Sequence, residues 1–394
     1  MNDIRKRNLH NAPVIAIFFA FLFAVLAAFV FTPSYEYNMA EQRALAQRPN
    51  IAEAKSLDDF ASGWESYVSD QFPGRNRIEA GVKEAEFAGT DDRLIDDVYV
   101  LSDDYLFSYT YPVDNWKYGA LMSQITASSD QSGLPFVYII VPQKNIVLED
   151  AEKSIDAKYN AENLHMLEND LLYWKLPYIN TCPKLLSYSL EQRSKFYFKT
   201  DFHWNELGAY TACEYIAEQL ADMGYIKKSS VPKDDDFIWT NYTGRDYLGD
   251  LQRRFSQEVT VKEYIPVYEA VNKDELIYYT NYRGSAVSRD TIVGTGLKSD
   301  GVLNYNTMST YNLGYLRIEN PNAPEIKSVL LIKDSYACTT LEYLSQIFTE
   351  LNVVDPRYTD MNLKTLLKAR DVDLVLLMFH ESNVSSELIQ YLKP

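Results

Sequence analysis

Residues 328–337 read SVLLIKDSYA. Val329, Leu330, Leu331 and Ile332 form an unbroken apolar run that ends abruptly in Lys333-Asp334-Ser335. A short continuous apolar run, closed by polar residues and followed by a helical pattern over 337–350, is the signature of a strand buried on both faces of a parallel sheet. PFVYIIVP (135–142) and DLVLLMF (373–379) have the same form, and LNVVDP (351–356) and PYIN (177–180) read as further strands. Helical patterns at 116–129, 161–175, 205–223 and 361–369 lie between them. Strands alternating with helices of ten to fifteen residues predict an α/β domain: a parallel sheet with helices on both faces. VYVLS (98–102) and YLFSY (105–109) read as a hairpin ahead of it.

Residues 224–327 break the alternation. They are rich in Tyr, Thr, Asn and Gly and hold the strand candidates EVTVKEYIPVY and ELIYYTNY, so they read as a β-rich insertion. Connections in α/β units are normally short, and an excursion this long usually shapes a cleft.

The N-terminus departs further from a globular pattern. Residues 14–31, VIAIFFAFLFAVLAAFVF, carry no charge. Eighteen residues give about 27 Å of helix, just enough to span a bilayer. Arg5, Lys6 and Arg7 precede the run, so the positive-inside rule leaves 1–13 cytoplasmic and everything after it extracellular, in a single-pass protein of the cell membrane. A cleaved signal peptide is the competing reading, with Ala27-Ala28 near a cleavage site. Residues 32–54 read as a polar stalk and 55–394 as the extracellular domain. That domain opens with a helix at 56–72, capped by Ser56 with Asp59 three residues on, and broken by Pro73-Gly74-Arg75 before a second helix to about Phe87.

The chain has 394 residues, a net charge of -17, 46% hydrophobic residues and 14% aromatics. That composition excludes a disordered chain and permits a large core. The acidic balance argues against nucleic acid and against docking on anionic lipid through a soluble surface. Cys182, Cys213 and Cys338 have no zinc-like spacing and read as small buried hydrophobes, so no metal and no cofactor is expected.

Chemistry in such sheets sits at the carboxyl ends of the strands. Ser335 lies where a buried strand meets a helix start, close to backbone N–H groups that can hold an oxyanion, those of Ser335 and Tyr336 among them. The competing reading makes Ser335 the N-cap of the next helix. In KTDFHWNELGAY (199–210), Asp201 and His203 are two apart and face one side of an extended loop, so the carboxylate can orient the imidazole; the competing reading has Asp201 cap the turn and His203 fill a partly buried polar slot. Of the four histidines, His10 is placed in the cytoplasm and His165 on a helix surface. His203 is the candidate general base, and His380, after the last strand, reads either as a site-lining residue or as a strand-end polar residue in solvent. Arg357 and Tyr358, after the 351–356 strand, are candidates for the same edge, against the plain reading of a loop. Trp204 is placed either stacked on a sugar or packed under its loop, and Lys144 either on substrate or in solvent.

These motifs resemble a known family. KTDFHWNELGAY together with LLIKDSYA is similar to the AlgJ/AlgX-like exported SGNH proteins of polysaccharide acetylation, and most of all to the DHHW family, with Phe202 in place of the second motif letter. YVSDQFPGR (67–75) and VPQKNIVLED (141–150) resemble two further family segments in the same order, so the likeness spans roughly 56–385. The resemblance implies a three-layer α/β/α SGNH-hydrolase-like fold and a Ser335–His203–Asp201 triad acting on acetyl esters. It implies an O-acetyltransferase acting on a surface or secreted polysaccharide, with acetyl supplied through a membrane-bound O-acyltransferase. A carbohydrate acetylesterase and a non-catalytic glycan-binding or assembly subunit are the alternatives. His380-Glu381 departs from the family pattern and leaves the acceptor site open.

Overall fold

The computed structural model describes residues 2–35, 37–38, 43–52, 54–75, 77–78, 81–82, 94–95, 97–100, 105–149, 158–242, 244–254, 261–298 and 301–393; within these, residues 2–12, 25, 26, 30, 37, 38, 43, 44, 95 and 100 are described by backbone alone. The chain divides into two compact units, residues 1–91 with 253–258 and residues 92–252 with 259–394. Parts of the expected stalk, residues 76, 79, 80 and 83–87 of the second helix after Pro73, residues 101–102 of the hairpin and residues 258–260 of the candidate EVTVKEYIPVY lie outside the described residues.

In the first unit, helix α1 (Asn2–Phe31) is continuous through Pro13. Val14, Ile17, Phe18 and Phe23 are exposed, while Phe29 near its end meets the Phe72 ring edge-on at 5.9 Å. Among the described residues, no helix is long and apolar enough to cross a membrane. Helix α2 (Leu57–Asp70) starts as the sequence indicates: the Ser56 hydroxyl accepts the Asp59 N–H at 3.0 Å, and the Asp59 carboxylate accepts the Lys55 N–H at 2.9 Å.

The second unit is built on a seven-stranded sheet. Strands β1 (Val98–Val100) and β2 (Leu106–Ser108) form the expected hairpin to one side. Helix α3 (Asn115–Ser132) leads into β3 (Phe136–Val141), followed by the short α4 (Lys144–Val147), α5 (Lys158–Tyr173), β4 (Tyr178–Asn180), α6 (Cys182–Leu186) and α7 (Glu206–Asp222). An antiparallel pair, β5 (Phe237–Asn241) and β6 (Pro266–Ala270), stands apart from the main sheet. The chain then returns through β7 (Ile277–Tyr279), β8 (Leu316–Glu319), β9 (Glu325–Lys333), β10 (Phe348–Val354), α8 (Leu363–Ala369), β11 (Leu374–His380) and α9 (Ser386–Tyr391).

The sheet order is β7-β8-β10-β9-β11-β3-β4. From β10 to β4 all pairings are parallel, as the apolar runs predict. The β8–β10 and β7–β8 pairings are antiparallel, so the sheet is mixed rather than purely parallel. The reason lies in the insertion. Its strands β7 and β8 do not remain in a separate lobe but extend the sheet past β10. The rest of its described residues are loops and short helices around the β5–β6 pair and a two-residue antiparallel pair, Asp246–Tyr247 with Val261–Lys262.

Every residue of β3 is buried. Alternation sends Val137, Ile139 and Val141 into one core with Ile216 and Leu220 of α7, and Phe136, Tyr138 and Ile140 into a second core with Leu121 and Ile125 of α3. The sheet is therefore covered on both faces, giving three layers. The three cysteines are free and buried. The expected helix over 337–350 is shorter than its pattern: a 3-10 turn at Ser335–Thr339 and a single turn at Leu341–Leu344 precede β10, which starts at Phe348.

Candidate active site

Strand β9 ends at Lys333 in the middle of the sheet, between β10 and β11. Asp334 stops it. This residue, not Ser335, caps the following turn: its Oδ1 accepts the Tyr336 N–H at 3.0 Å. Its Oδ2 accepts the His380 N–H at 3.1 Å and the Asn383 side-chain amide at 3.0 Å, which ties the turn to the end of β11. Ser335 is thereby released from the capping role, and its hydroxyl is half-buried at the carboxyl edge.

The Ser335 Oγ lies 2.8 Å from His203 Nε2, and His203 Nδ1 lies 2.7 Å from Asp201 Oδ1. Residues 132 positions apart meet because α7 packs on one face of the sheet and brings its N-terminal loop to the end of β9. The Asp201–His203 spacing works differently from the extended loop expected. Asp201 Oδ1 also accepts the His203 main-chain N–H at 3.1 Å, a local Asx-type turn that grips the histidine twice. Burial acts to raise the Asp201 carboxyl, but His203, through charge and two hydrogen bonds, and Lys144 outweigh it and hold it below the ordinary carboxylate range. An ionised Asp201 fixes the proton on Nδ1 and leaves Nε2 to accept from Ser335.

The loop is held from both sides of its backbone. The Lys144 amine donates to the carbonyls of Phe198, Lys199 and Asp201 at 2.9, 3.0 and 2.6 Å. Glu263 accepts the N–H groups of Lys199 and Thr200, each at 3.0 Å. Burial drives the Lys144 amine down to about 7, against the pull of Glu263 and Asp201. Tyr247 O–H and the Asp250 N–H, at 3.1 and 3.0 Å, satisfy Asp201 Oδ2. Leu251 and Gln252 donate their N–H groups to Thr200 O, and a Cβ on Gly249 would come within 2.1 Å of that oxygen.

The remaining candidate residues divide. His380 stands at the same edge, its ring 5.6 Å from that of Tyr336 and its Nδ1 2.8 Å from the Gln143 amide. Lys144 is neither solvent-exposed nor free for substrate: it is 1% exposed and spent on the loop carbonyls. Trp204 is fully buried and donates to Tyr336 O at 2.8 Å, so it packs under the turn and cannot stack on a sugar. The Tyr336 N–H is engaged by Asp334 and is not an oxyanion donor, whereas the Ser335 N–H has no acceptor among the described residues. Arg357 forks onto the buried Asp355 at 2.9 and 2.7 Å. Tyr358 is 58% exposed, and among the described residues no hydrogen bond or ion pair joins it or Arg357 to Asp201, His203 or Ser335.

Glu263, Tyr247, Asp250 and Tyr305 contact Asp201, His203 or their loop, and no sequence motif marks them. All four come from the insertion, where only a richness in Tyr and polar residues signalled a role. Asp201, His203 and Asp250 also bring ligand-type atoms within 4.8 Å of one another. Both Asp201 oxygens already accept hydrogen bonds and His203 Nδ1 is committed to one of them, so the group is filled by its own contacts. A cavity of about 460 Å3, lined in part by Glu206, Arg289, Met308 and Glu342, reaches Cys338 and Thr339 but does not include Ser335.

Residues 116–286 match the family described as "SGNH hydrolase-like domain, acetyltransferase AlgX", a stretch that includes Asp201 and His203 and stops short of Ser335. Among solved structures, PatB1 of Bacillus cereus superposes with a TM-score of 0.63 at 21% identity, over 75% of this chain and 99% of that one. A DHHW family protein from Eubacterium siraeum gives 0.56 at 17%, over 75% and 93%. No curated protein matches the sequence. The likeness to the DHHW and AlgJ/AlgX-like proteins read from the motifs is borne out, and the fold is SGNH-hydrolase-like.

Proposed function

Starting from an SGNH-hydrolase-like domain similar to the DHHW and AlgX-type proteins, we propose that this chain is an O-acetyltransferase. It transfers acetyl to a surface or secreted polysaccharide through Ser335, His203 and Asp201. The observation that carries the reading is the unbroken path from Asp201 Oδ1 to His203 to Ser335 Oγ, at 2.7 and 2.8 Å.

The steps follow from that path. The Ser335 oxygen attacks the acetyl carbonyl while its proton passes to His203 Nε2. Asp201 stabilises the imidazolium through Nδ1–H. The Ser335 N–H is placed to donate to the developing oxyanion. Collapse expels the donor's leaving group, which takes the proton from His203. A glycan hydroxyl then gives its proton to His203 and attacks acetyl-Ser335, and the proton returns to Ser335 Oγ as the ester forms on the sugar. With water in place of the sugar the same steps make an acetylesterase, and a chain that bound glycan without turnover would be an assembly subunit.

The uncharged run at 14–31, preceded by Arg5, Lys6 and Arg7, supports an anchor that holds the domain outside the cell membrane, next to a membrane-bound O-acyltransferase that delivers acetyl. Release of p-nitrophenol from p-nitrophenyl acetate by the full chain, beside Ser335→Ala and His203→Ala, tests the serine chemistry. Activity that survives in Ser335→Ala removes the proposal. Ester formation on an oligosaccharide acceptor, read by mass, separates transfer from hydrolysis.

A further inference from the structure

The imidazole of His203 lies flat against the ring of Tyr305, with centroids 3.8 Å apart and planes 3° from parallel. Tyr305 is 2% exposed, and its hydroxyl donates to the main-chain carbonyl of Ser335 at 2.7 Å. One side chain from the insertion thus touches both partners of the proton transfer: the ring of the base and the backbone of the nucleophile. Phe202 lies against His203 as well, with centroids 4.0 Å apart and planes at 34°.

We propose that Tyr305 is a positioning residue that stabilises the protonated form of His203 through its ring face and fixes the Ser335 turn through its hydroxyl. The aromatic face carries the negative part of the ring quadrupole, so a cation stacked on it is favoured over a neutral ring. In the reaction the imidazole gains charge as the Ser335 proton arrives, so the stack strengthens as the transition state forms. Burial keeps the Tyr305 phenol protonated, and the hydroxyl remains a donor to the Ser335 carbonyl.

Other groups around His203 contribute in known places. Asp201 meets Nδ1, Ser335 meets Nε2 and the Tyr336 ring lies 5.0 Å away. Tyr247, the Asp250 N–H and Lys144 act on Asp201, and Asp334 caps the Ser335 turn. The Asp250 carboxylate completes the charged surroundings. None of these contacts is made by the Tyr305 ring, so its effect is separable.

The inference rests on the proposed serine chemistry, and its test is chosen to stand apart from it. In full-length protein carrying Ser335→Ala, which needs no turnover, the proton resonances of the His203 ring are titrated with pH, alone and with Tyr305→Phe, Tyr305→Leu or Tyr305→Met. The expected result is a midpoint roughly 0.5 to 1 pH unit lower in the Leu and Met variants and unmoved in the Phe variant. With Ser335 intact, kcat/KM falls about 3- to 30-fold in Leu and Met, with the acid limb of the profile displaced the same way. A midpoint unchanged in a folded Leu or Met variant overturns the inference. A displaced midpoint in a chain that releases no acetyl in any form retains the stacking role and removes the acetyltransferase reading.

Discussion

The Lys144 amine donates to the main-chain carbonyl of Asp201 across 2.6 Å, joining the loop after β3 to the loop that presents His203. Lys144→Met would strand three buried carbonyls and leave Glu263 without its cation. A loss of about 3–5 kcal/mol is expected, the cost of removing one member of a buried charged network. Urea denaturation measures it. The pH dependence carries a second signature. With the folded amine at about 7 and an unfolded lysine near ~10.4, the unfolded chain binds more protons between those values. This group's contribution to stability is therefore lowest below about pH 7 and rises with pH through that window. The rise should be missing in Lys144→Met.

Asp201→Asn removes the carboxylate that holds the proton on His203 Nδ1. Its amide cannot accept from His203, Tyr247 and Asp250 together, so the imidazole is free to take the other tautomer. Acetyl release should fall about 10^4-fold. A pre-steady-state burst of p-nitrophenol would shrink in rate with it. Activity within tenfold of the parent would sink the orienting role of Asp201.

Gly249→Ala places a Cβ about 2.1 Å from Thr200 O, a backbone atom that cannot swing away. Thr200 immediately precedes Asp201, so the loop must shift by the better part of an ångström. We expect a clear fall in kcat, about 100-fold for a misplacement of that order, with a lowered thermal midpoint. Gly119→Ala, inside helix α3 with nothing within 4 Å of the added carbon and an ordinary helical backbone, controls for loss of glycine alone.

Asp334→Ala would leave the N–H groups of Tyr336 and His380 and the amide of Asn383 without their acceptor. Each orphaned buried donor costs roughly 1–3 kcal/mol. The Ser335 turn would lose its cap, so activity and stability should fall together. Equilibrium unfolding and acetyl release on the same preparation check this, and an active, stable Asp334→Ala would contradict the capping role.

The central sheet was legible because its strands announce themselves. Runs such as PFVYIIVP and SVLLIK are apolar on both faces, and only a covered parallel sheet accommodates that. The His203 loop and Ser335 were legible as types of residue at strand and helix ends. What the sequence hid was direction. Lys144 looks like a surface lysine until three carbonyls are found around it, and the N-cap duty given to Ser335 belongs to Asp334 one position earlier. Strand β7 falls within the candidate ELIYYTNY, but its neighbour β8 hid for another reason: it is four residues long, too short to display a period. Tyr247, Glu263 and Tyr305 support the Asp201–His203 pair from 44 to 102 positions further along the chain, a separation no local pattern reports.

That separation also sets an order in time. As the chain is made, residues 201 and 203 appear well before Tyr247, Glu263, Tyr305 and Ser335. Until those later residues fold against them, the Lys199 and Thr200 amides and the Thr200 carbonyl have only water for partners, and the imidazole has neither its stacking face nor a hydroxyl to receive a proton from. The insertion therefore works as a timer on assembly. Under the proposed chemistry, a half-finished chain holds the acid and the base but is chemically silent, and reactivity toward acyl groups begins only once the last third of the polypeptide has closed over the middle of it.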